Sequence, residues 1–449
     1  MNKRKPVQVW AAAFLLAMGS LTLNAQTSFK FTAKECADYA AKNNVQVKNA
    51  LVDYLIQKET NRDVTSAALP QISANGNVTD YLKIATQLLP GEFFGQPAGT
   101  FIPVKFGTKY ITTGGLSLSQ VLFDGQVFIG LKARKATLEY SLKNVAVTEE
   151  NIRTNIYKIY FQLAVSQTQI DLLDANITRL DKLQHDTREI YKNGFAEKVD
   201  VDKLAVQLTN LQTEKLKAVD QIDQGYLGLK LLMGMPIKDS LELTEKITED
   251  RIKSDRLTTD STYKYTDRKE YQYLEIVKTL NEFNVRRYQL SNIPTLKFNF
   301  ATSETAQRQN FDFFNKGDWF PSTYLGVALN VPIFNGFSTK AKINTAKLTL
   351  RQTQNNIEYL QNSIDNDVAK ARISFKSAVA SMDYQKANMQ LAEDVYNQTK
   401  KKYEIGTGSA TEINAAETDL KEAQTNYTNA MYDAIIAKID YTKAVGKLE

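Results

Sequence analysis

Gly115-Leu-Ser-Leu-Ser-Gln-Val-Leu-Phe-Asp-Gly125 returns as Gly326-Val-Ala-Leu-Asn-Val-Pro-Ile-Phe-Asn-Gly336, 211 residues further along the chain. In the first copy Leu116, Leu118 and Leu122 alternate with Ser117 and Ser119, the pattern of a strand with one apolar face. The alternation stops at Phe-Asp-Gly, or Phe-Asn-Gly in the second copy, so a strand gives way to a different element at matched places. A second pair of matches lies downstream. Tyr191-Lys-Asn-Gly194 followed by Val199-Asp200-Val201 corresponds to Tyr403-Glu-Ile-Gly406 followed by Thr411-Glu412-Ile413, at a separation of 212. The chain is a tandem duplication.

Between these markers proline is absent from Val104 to Met235 and from Ile333 to Glu449. A proline inside a helix costs ~3 kcal/mol, so these windows are where long helices can run. Within them Ile152, Ile156, Ile159, Leu163, Ser166, Ile170, Leu173, Ile177 and Leu180 step by fours and threes. Their counterparts are Ile364, Val368, Ala371, Phe375, Ala378, Met382, Gln385, Met389 and Ala392. The returning segments repeat the spacing as Val201, Leu204, Leu208, Leu211 and as Ile413, Ala416, Leu420, Ala423. This is a coiled-coil seam used twice. A helix from Phe128 to Tyr191 would span about 95 Å at ~1.5 Å per residue, so it needs lateral partners. Each repeat is therefore expected to hold an antiparallel helical hairpin, turning at 194–197 and at 406–410.

Strands are expected at about 71–81, 108–122, 295–303 and 322–331, next to Pro70, Pro294 and Pro321. Leu296, Phe298 and Phe300 alternate with Lys297 and Asn299. Spans of about ten alternating residues suit transmembrane strands, whose outer side meets lipid and whose inner side meets water. The joining segments 84–107 and 305–321 carry Phe93, Phe94, Phe311, Phe313, Phe314, Trp319 and Phe320, as an interfacial aromatic girdle does. Barrels of this kind start at ~8 strands, and an open sheet edge in lipid leaves backbone groups unpaired. Four strands must be completed by other copies, and three copies would supply twelve.

Residues 1–25 read as a secretory signal: Lys3, Arg4 and Lys5, an apolar stretch from Val9 to Ala17, and Leu23-Asn24-Ala25 before Gln26. Beyond it no run of ~18 uncharged apolar residues occurs, which disfavours a transmembrane helix and leaves a β-barrel open. Without the signal charges, 53 Lys and Arg face 50 Asp and Glu, giving no reason to expect a nucleic-acid partner. Cys36 is the only cysteine and His185 the only histidine. An internal disulfide is excluded, as are a His-based triad and most transition-metal sites. No catalytic residue, cofactor or metal is expected.

With these elements in hand, the mature chain resembles the TolC-type outer membrane factors, the outer membrane efflux protein family. The resemblance rests on the paired Phe123-Asp124-Gly125 and Phe334-Asn335-Gly336 switches and the two Tyr-x-x-Gly tips. It implies a mainly α chain with a small β part, assembled as a homotrimer with a 12-stranded β-barrel on an α-helical tunnel. The expected division is a first repeat at 26–233, a linker or equatorial segment at 234–262 and a second repeat at 263–449. It further implies a location in the outer membrane of a Gram-negative bacterium, with the helices in the periplasm. The partners it implies are outer-membrane lipid, a periplasmic adaptor protein and an inner-membrane pump.

By the same resemblance the hairpin tips contact the adaptor, through Tyr191, Gly194, Phe195 and Ala196 and through Tyr403, Gly406, Thr407 and Gly408. A bare turn would want the same glycines, for positive φ after a helix. Family members place two acidic residues three apart just past the second tip, forming carboxylate rings at the periplasmic aperture. Glu412 occupies the first place and Ala415 the second, so one ring is expected; Asp200 is the matching position in the first repeat. The function implied is a passive exit duct of a tripartite efflux or type I secretion system. A structural coiled-coil protein of the cell envelope, without a pore, is the alternative compatible with the heptads alone.

Overall fold

The computed structural model describes residues 28–245, 247–254, 263–313 and 317–448. The expected signal segment, positions 246 and 255–262 of the expected linker, and Phe314 lie outside the described residues. In chain order the elements are β1 (Ser28–Phe31), α1 (Ala33–Asn43), α2 (Val45–Ser66), β2 (Gln71–Asp80), β3 (Thr86–Pro90), β4 (Phe101–Lys105), β5 (Tyr110–Phe123), α3 (Gly125–Lys192) and α4 (Lys198–Met233). They continue with β6 (Ser240–Leu243), α5 (Glu249–Ser254), α6 (Lys269–Leu290), β7 (Thr295–Arg308), β8 (Phe320–Asn330), α7 (Ser338–Glu404) and α8 (Ala410–Ala444). Two compact units share these elements. One takes residues 1–49, 146–269 and 363–449, and the other takes 50–145 and 270–362.

In the first unit the heptad positions form the core. Ile152, Ile156, Leu163, Leu173 and Leu180 of α3 are buried, as are Leu204 and Leu211 of α4 and Ile413, Ala416 and Leu420 of α8. Each such Ile or Leu side chain stabilises by ~1.5–3 kcal/mol relative to exposure, so the repeated stripe is the main reason α3, α4 and α8 associate. A further cluster joins Cys36, Ala37 and Ala40 of α1 to Ile156, Tyr160, Leu229 and Met233. There β1 pairs in parallel with β6, Phe29 opposite Leu241 and Phe31 opposite Leu243. Tyr160 fastens the pair, its hydroxyl donating to Phe31 O at 3.2 Å and accepting from Glu245 N at 3.0 Å.

Residues 33–66 form two helices, divided at Asn44. Its Oδ1 accepts the Gln46 N–H at 2.7 Å and its Nδ2 donates to Leu232 O at 2.7 Å. An asparagine that bonds to nearby backbone competes with helix continuation. α5 is held by ions: Glu249 lies 2.7 Å from Lys386 and accepts from the Tyr427 hydroxyl at 2.7 Å, and Lys253 lies 2.5 Å from Asp383.

The second unit carries a four-stranded antiparallel sheet in the order β2-β5-β7-β8. A row across one face reads Ile72, Leu118, Phe300, Leu325, and on the other face Ser73, Ser117, Ala301, Tyr324. Residue 84–107 forms more than a connection: β3 and β4 pair as a hairpin around a 3-10 turn at Gly91–Phe94, closed by Gly91 N donating to Thr100 O at 2.7 Å. In the same unit Asn61 Nδ2 donates to Arg134 O at 2.9 Å, and Asn281 Nδ2 to Thr353 Oγ1 at 2.9 Å. These bonds tie α2 to α3 and α6 to α7.

Candidate functional site

The sheet exposes what a self-contained domain would bury. Ile72 is 71% exposed and Leu325 75%, and Val78, Leu116, Val327 and Leu329 are also exposed. Contiguous apolar surface of this kind marks a contact with lipid or protein. The opposite face is polar, with Ser73 and Ser117 hydroxyls sharing a hydrogen bond at 2.7 Å. Among the described residues neither β2 nor β8 has a strand along its outer edge.

The hairpin tips are built locally. At the first, α3 ends with Gly194 at φ +82°, Gly194 N donating to Tyr191 O at 2.9 Å and Phe195 N to Ile190 O at 3.1 Å. A left-handed glycine followed by these two bonds closes the last turn. Tyr191 and Phe195 stay exposed, Phe195 at 86%, and Ala196 is half-buried. α4 then starts after Glu197, whose side chain makes no cap, and Asp200 sits half-buried in the first turn.

At the second tip Gly406 takes φ +78° and donates to Tyr403 O at 3.0 Å, while Thr407 N and Gly408 N donate to Lys402 O at 2.9 and 3.0 Å. Ser409 caps α8 in a reciprocal box: Glu412 N donates to Ser409 Oγ and Ser409 N donates to Glu412 Oε2, both at 3.2 Å. The exposed Glu412 carboxylate is thus held at its own helix N-terminus, where the helix dipole favours negative charge.

One of the tip residues reaches the other repeat. The Tyr403 hydroxyl shares a hydrogen bond at 2.9 Å with Thr187 Oγ1 of α3, and Thr187 is fully buried. Its counterpart Tyr191 remains exposed. Farther along the same helices Glu417 of α8 is only 5% exposed, with Oε2 3.3 Å from Arg179 Nε, and the Arg179 guanidinium lies 4.9 Å from the Tyr396 ring centre. Among the described residues neither Glu417 oxygen has a hydrogen-bond partner. Burial pushes the Glu417 carboxyl above the usual carboxylate range, with Arg179 opposing it, and burial and then Glu417 push Tyr396 up to about 12.

Thr187, Arg179, Tyr396 and Glu417 are absent from the sequence-based candidates. The signal available was a mismatch between repeats: Ala205 stands where Glu417 would repeat, and Leu391 where Arg179 would. Beside the tips, α4 and α8 enclose a groove lined by Val199, Asp202, Lys203 and Val206 and by Thr411, Asn414, Ala415 and Thr418. Among the described residues there is no group of three or more His, Cys, Asp or Glu placed to hold a metal ion, and no helix long and apolar enough to cross a membrane.

An open sheet with one lipid-type face and one polar face, joined in sequence to duplicated helical hairpins, defines a subunit of an outer-membrane channel. A profile of the family described as outer membrane efflux protein matches residues 285–447. The outer membrane protein TolC of Vibrio cholerae serotype O1 is 20% identical over 352 residues, 75% of this chain and 77% of that protein. The outer membrane efflux protein BepC of Brucella suis biovar 1 is 21% identical over 444 residues, 98% of this chain and 90% of that one. Among solved structures the fold is shared with CusC, at a TM-score of 0.73, 16% identity and 95% coverage of each chain. It is shared also with VceC of Vibrio cholerae, at 0.72, 14% identity and coverage of 92% and 96%. Over residues 285–447 the chain is thus similar to the outer membrane efflux protein family, a family of channel proteins, and it is an outer-membrane channel subunit.

Proposed function

We propose that this chain is the exit duct of a tripartite efflux or type I secretion assembly. It conducts cargo passively from periplasm to exterior, as a homotrimer engaged by a periplasmic adaptor and an inner-membrane pump. The observation that carries this reading is the sheet: two unpaired edges and an exposed apolar face have no stable place in water or in lipid unless further copies complete a barrel. Three copies give an even, all-antiparallel set of twelve strands, because β2 and β8 are separated by three antiparallel steps and so run in opposite directions. The polar face then lines an aqueous lumen.

The tips serve as the adaptor contacts and the gate. Phe195 and Ile405, exposed at 86% and 74%, offer apolar knobs beside the groove between α4 and α8, while Tyr191, Gly194, Ala196, Tyr403, Gly406, Thr407 and Gly408 shape the turns. Glu412, with Asp200 as its counterpart, supplies the charge of the aperture; converging carboxylates favour cations and resist anions. The test is photocrosslinking in cells from positions 195 and 408, with the captured protein identified by mass. Capture of a periplasmic adaptor supports the duct. Capture only of neighbouring copies or cell-wall components, from a well-expressed protein, returns the weight to an envelope scaffold.

A further inference from the structure

Antiparallel partners point to the same side of a sheet, so the pairing sorts the side chains of β2, β5, β7 and β8 by face. The polar face carries Asn75 and Asn77 of β2, Ser117 and Ser119 of β5, Asn299 of β7 and Ser322 of β8. Lys297, the third residue of β7, belongs to the same face, between Val121 of β5 and Ala328 of β8. Among the described residues it is the only charged side chain that the four strands place there, it is exposed, and it has no ion pair. The other charges of these strands, Asp80, Glu304 and Arg308, lie on the opposite face toward the end farther from α6. Arg308 is ion-paired with Asp312 at 3.2 Å.

The duplication is broken at this position. Pro70, Ile72 and Asn75 match Pro294, Leu296 and Asn299 at a separation of 224, which makes Ser73 the counterpart of Lys297. Ser73 carries no charge and its hydroxyl is already bonded to that of Ser117 at 2.7 Å. Each copy therefore presents one cation on the polar face, at a single level of the sheet.

We propose that Lys297 is the charge selector of the duct: three copies set three ammonium groups in a ring at the helix-side end of the barrel lumen, and the ring makes this stretch prefer anionic cargo to cationic cargo. This rests on the channel reading above and adds the charge class of what passes. Twelve strands ~4.8 Å apart and tilted ~40° close into a ring roughly 24 Å across between backbones. A lysine stem reaches ~6 Å from the backbone, which brings each ammonium to about 6 Å from the axis. That is within the ~8 Å Debye length at physiological salt, so no path through the ring escapes its field. Three unit charges at ~6 Å, screened over ~8 Å in water, enrich a monovalent anion on the axis by roughly fivefold and deplete a monovalent cation as much. The amides and hydroxyls of the same face supply no carboxylate to cancel that field, and rings of Lys or Arg select anions in other pores.

The test is a potassium chloride gradient across a planar bilayer holding the trimer, with the reversal potential read as the chloride-to-potassium permeability ratio. Lys297→Gln should lower that ratio several-fold, and Lys297→Glu should lower it further. Both shifts should persist in the Glu412→Ala background, where the opposing charge proposed for the aperture is gone. The native Cys36 is fully buried and can stay, so the Lys297→Cys variant offers one reachable thiol to water-soluble thiosulfonates. A cationic thiosulfonate should restore the parent ratio, and an anionic one should push it below that of Lys297→Gln. A thiol that stays unmodified in conducting trimers, or a modification that leaves the ratio unchanged, overturns the selector and leaves the duct standing. A parent chain that forms neither trimers nor conducting pores overturns both.

Discussion

Replacing Tyr403 by phenylalanine removes one hydroxyl and nothing else, and its consequence can be worked from the structure. The lost bond to Thr187 spans 2.9 Å, and Thr187 is 0% exposed, so its own hydroxyl is left without that partner. A neutral hydrogen bond stabilises by ~0.5–1.5 kcal/mol net, and a buried hydroxyl left unpaired costs ~1–3 kcal/mol. Opening that parts the second hairpin from α3 breaks this bond anyway, so the loss falls on the closed state. With about 1 kcal/mol per copy and three copies opening together, the closed state loses ~3 kcal/mol, roughly a hundredfold in the closed-to-open ratio. Single-channel recording in planar bilayers reads this as open probability. Thr187→Val should have a similar effect, and the double variant should fall short of the sum because the two side chains share one bond. If Tyr403→Phe channels, shown to be folded trimers, keep an open probability within about twofold of the parent, where ~1 kcal/mol per copy predicts far more, this bond is not a closing contact.

Three further expectations follow from the geometry. Replacing Arg179 by Met together with Glu417 by Leu should be neutral or stabilising by ~1–4 kcal/mol in denaturant unfolding, while Arg179→Met alone should destabilise, because it strands a buried carboxylate. Because burial raises the folded-state pKa of Glu417 above its ordinary 4.5, its contribution is full below pH 4.5 and is lost as pH rises through the folded pKa. Glu417→Gln should flatten that part of the stability profile measured by circular dichroism. The Cys36 thiol, pushed up to about 12 by burial, should resist maleimide at neutral pH and label only in denaturant, as mass spectrometry would show. Glu412→Ala should lower cation selectivity, read as a shift in reversal potential; unchanged selectivity and conductance would remove Glu412 from the aperture.

The long helices and the strands were legible because each is specified by a local period. Spacings of three and four from Ile152 to Leu180 could only be buried along one side of a helix, and Ile152, Ile156, Leu163, Leu173 and Leu180 are buried. What the period could not carry was anything set by a distant partner. The helix break at Asn44 depends on Leu232 O, and β1 exists because β6 lies 212 positions away, Ser28 opposite Ser240. The β3–β4 hairpin was hidden for another reason: Pro90, Gly91, Gly95 and Pro97 mark turns, and strands as short as Thr86–Pro90 offer too few residues for alternation to register.

At the tips the legible part was again the local part. Gly194 and Gly406 take the left-handed conformation that their place after a helix demands, whatever the tips do. The contacts able to bias a gate arise where the duplication is broken. Tyr191 and Tyr403 are equivalent in sequence, yet only Tyr403 meets a buried hydroxyl. Asp200 and Glu412 are equivalent too, yet only Glu412 is drawn into a capping box, because Ser409 caps its helix and Glu197 does not cap the other. Arg179 and Glu417 oppose each other with no charged counterpart at Leu391 or Ala205. Two identical hairpins would have no reason for one to move before the other. These differences give the second hairpin its own set of bonds, which any displacement of it from α3 must break.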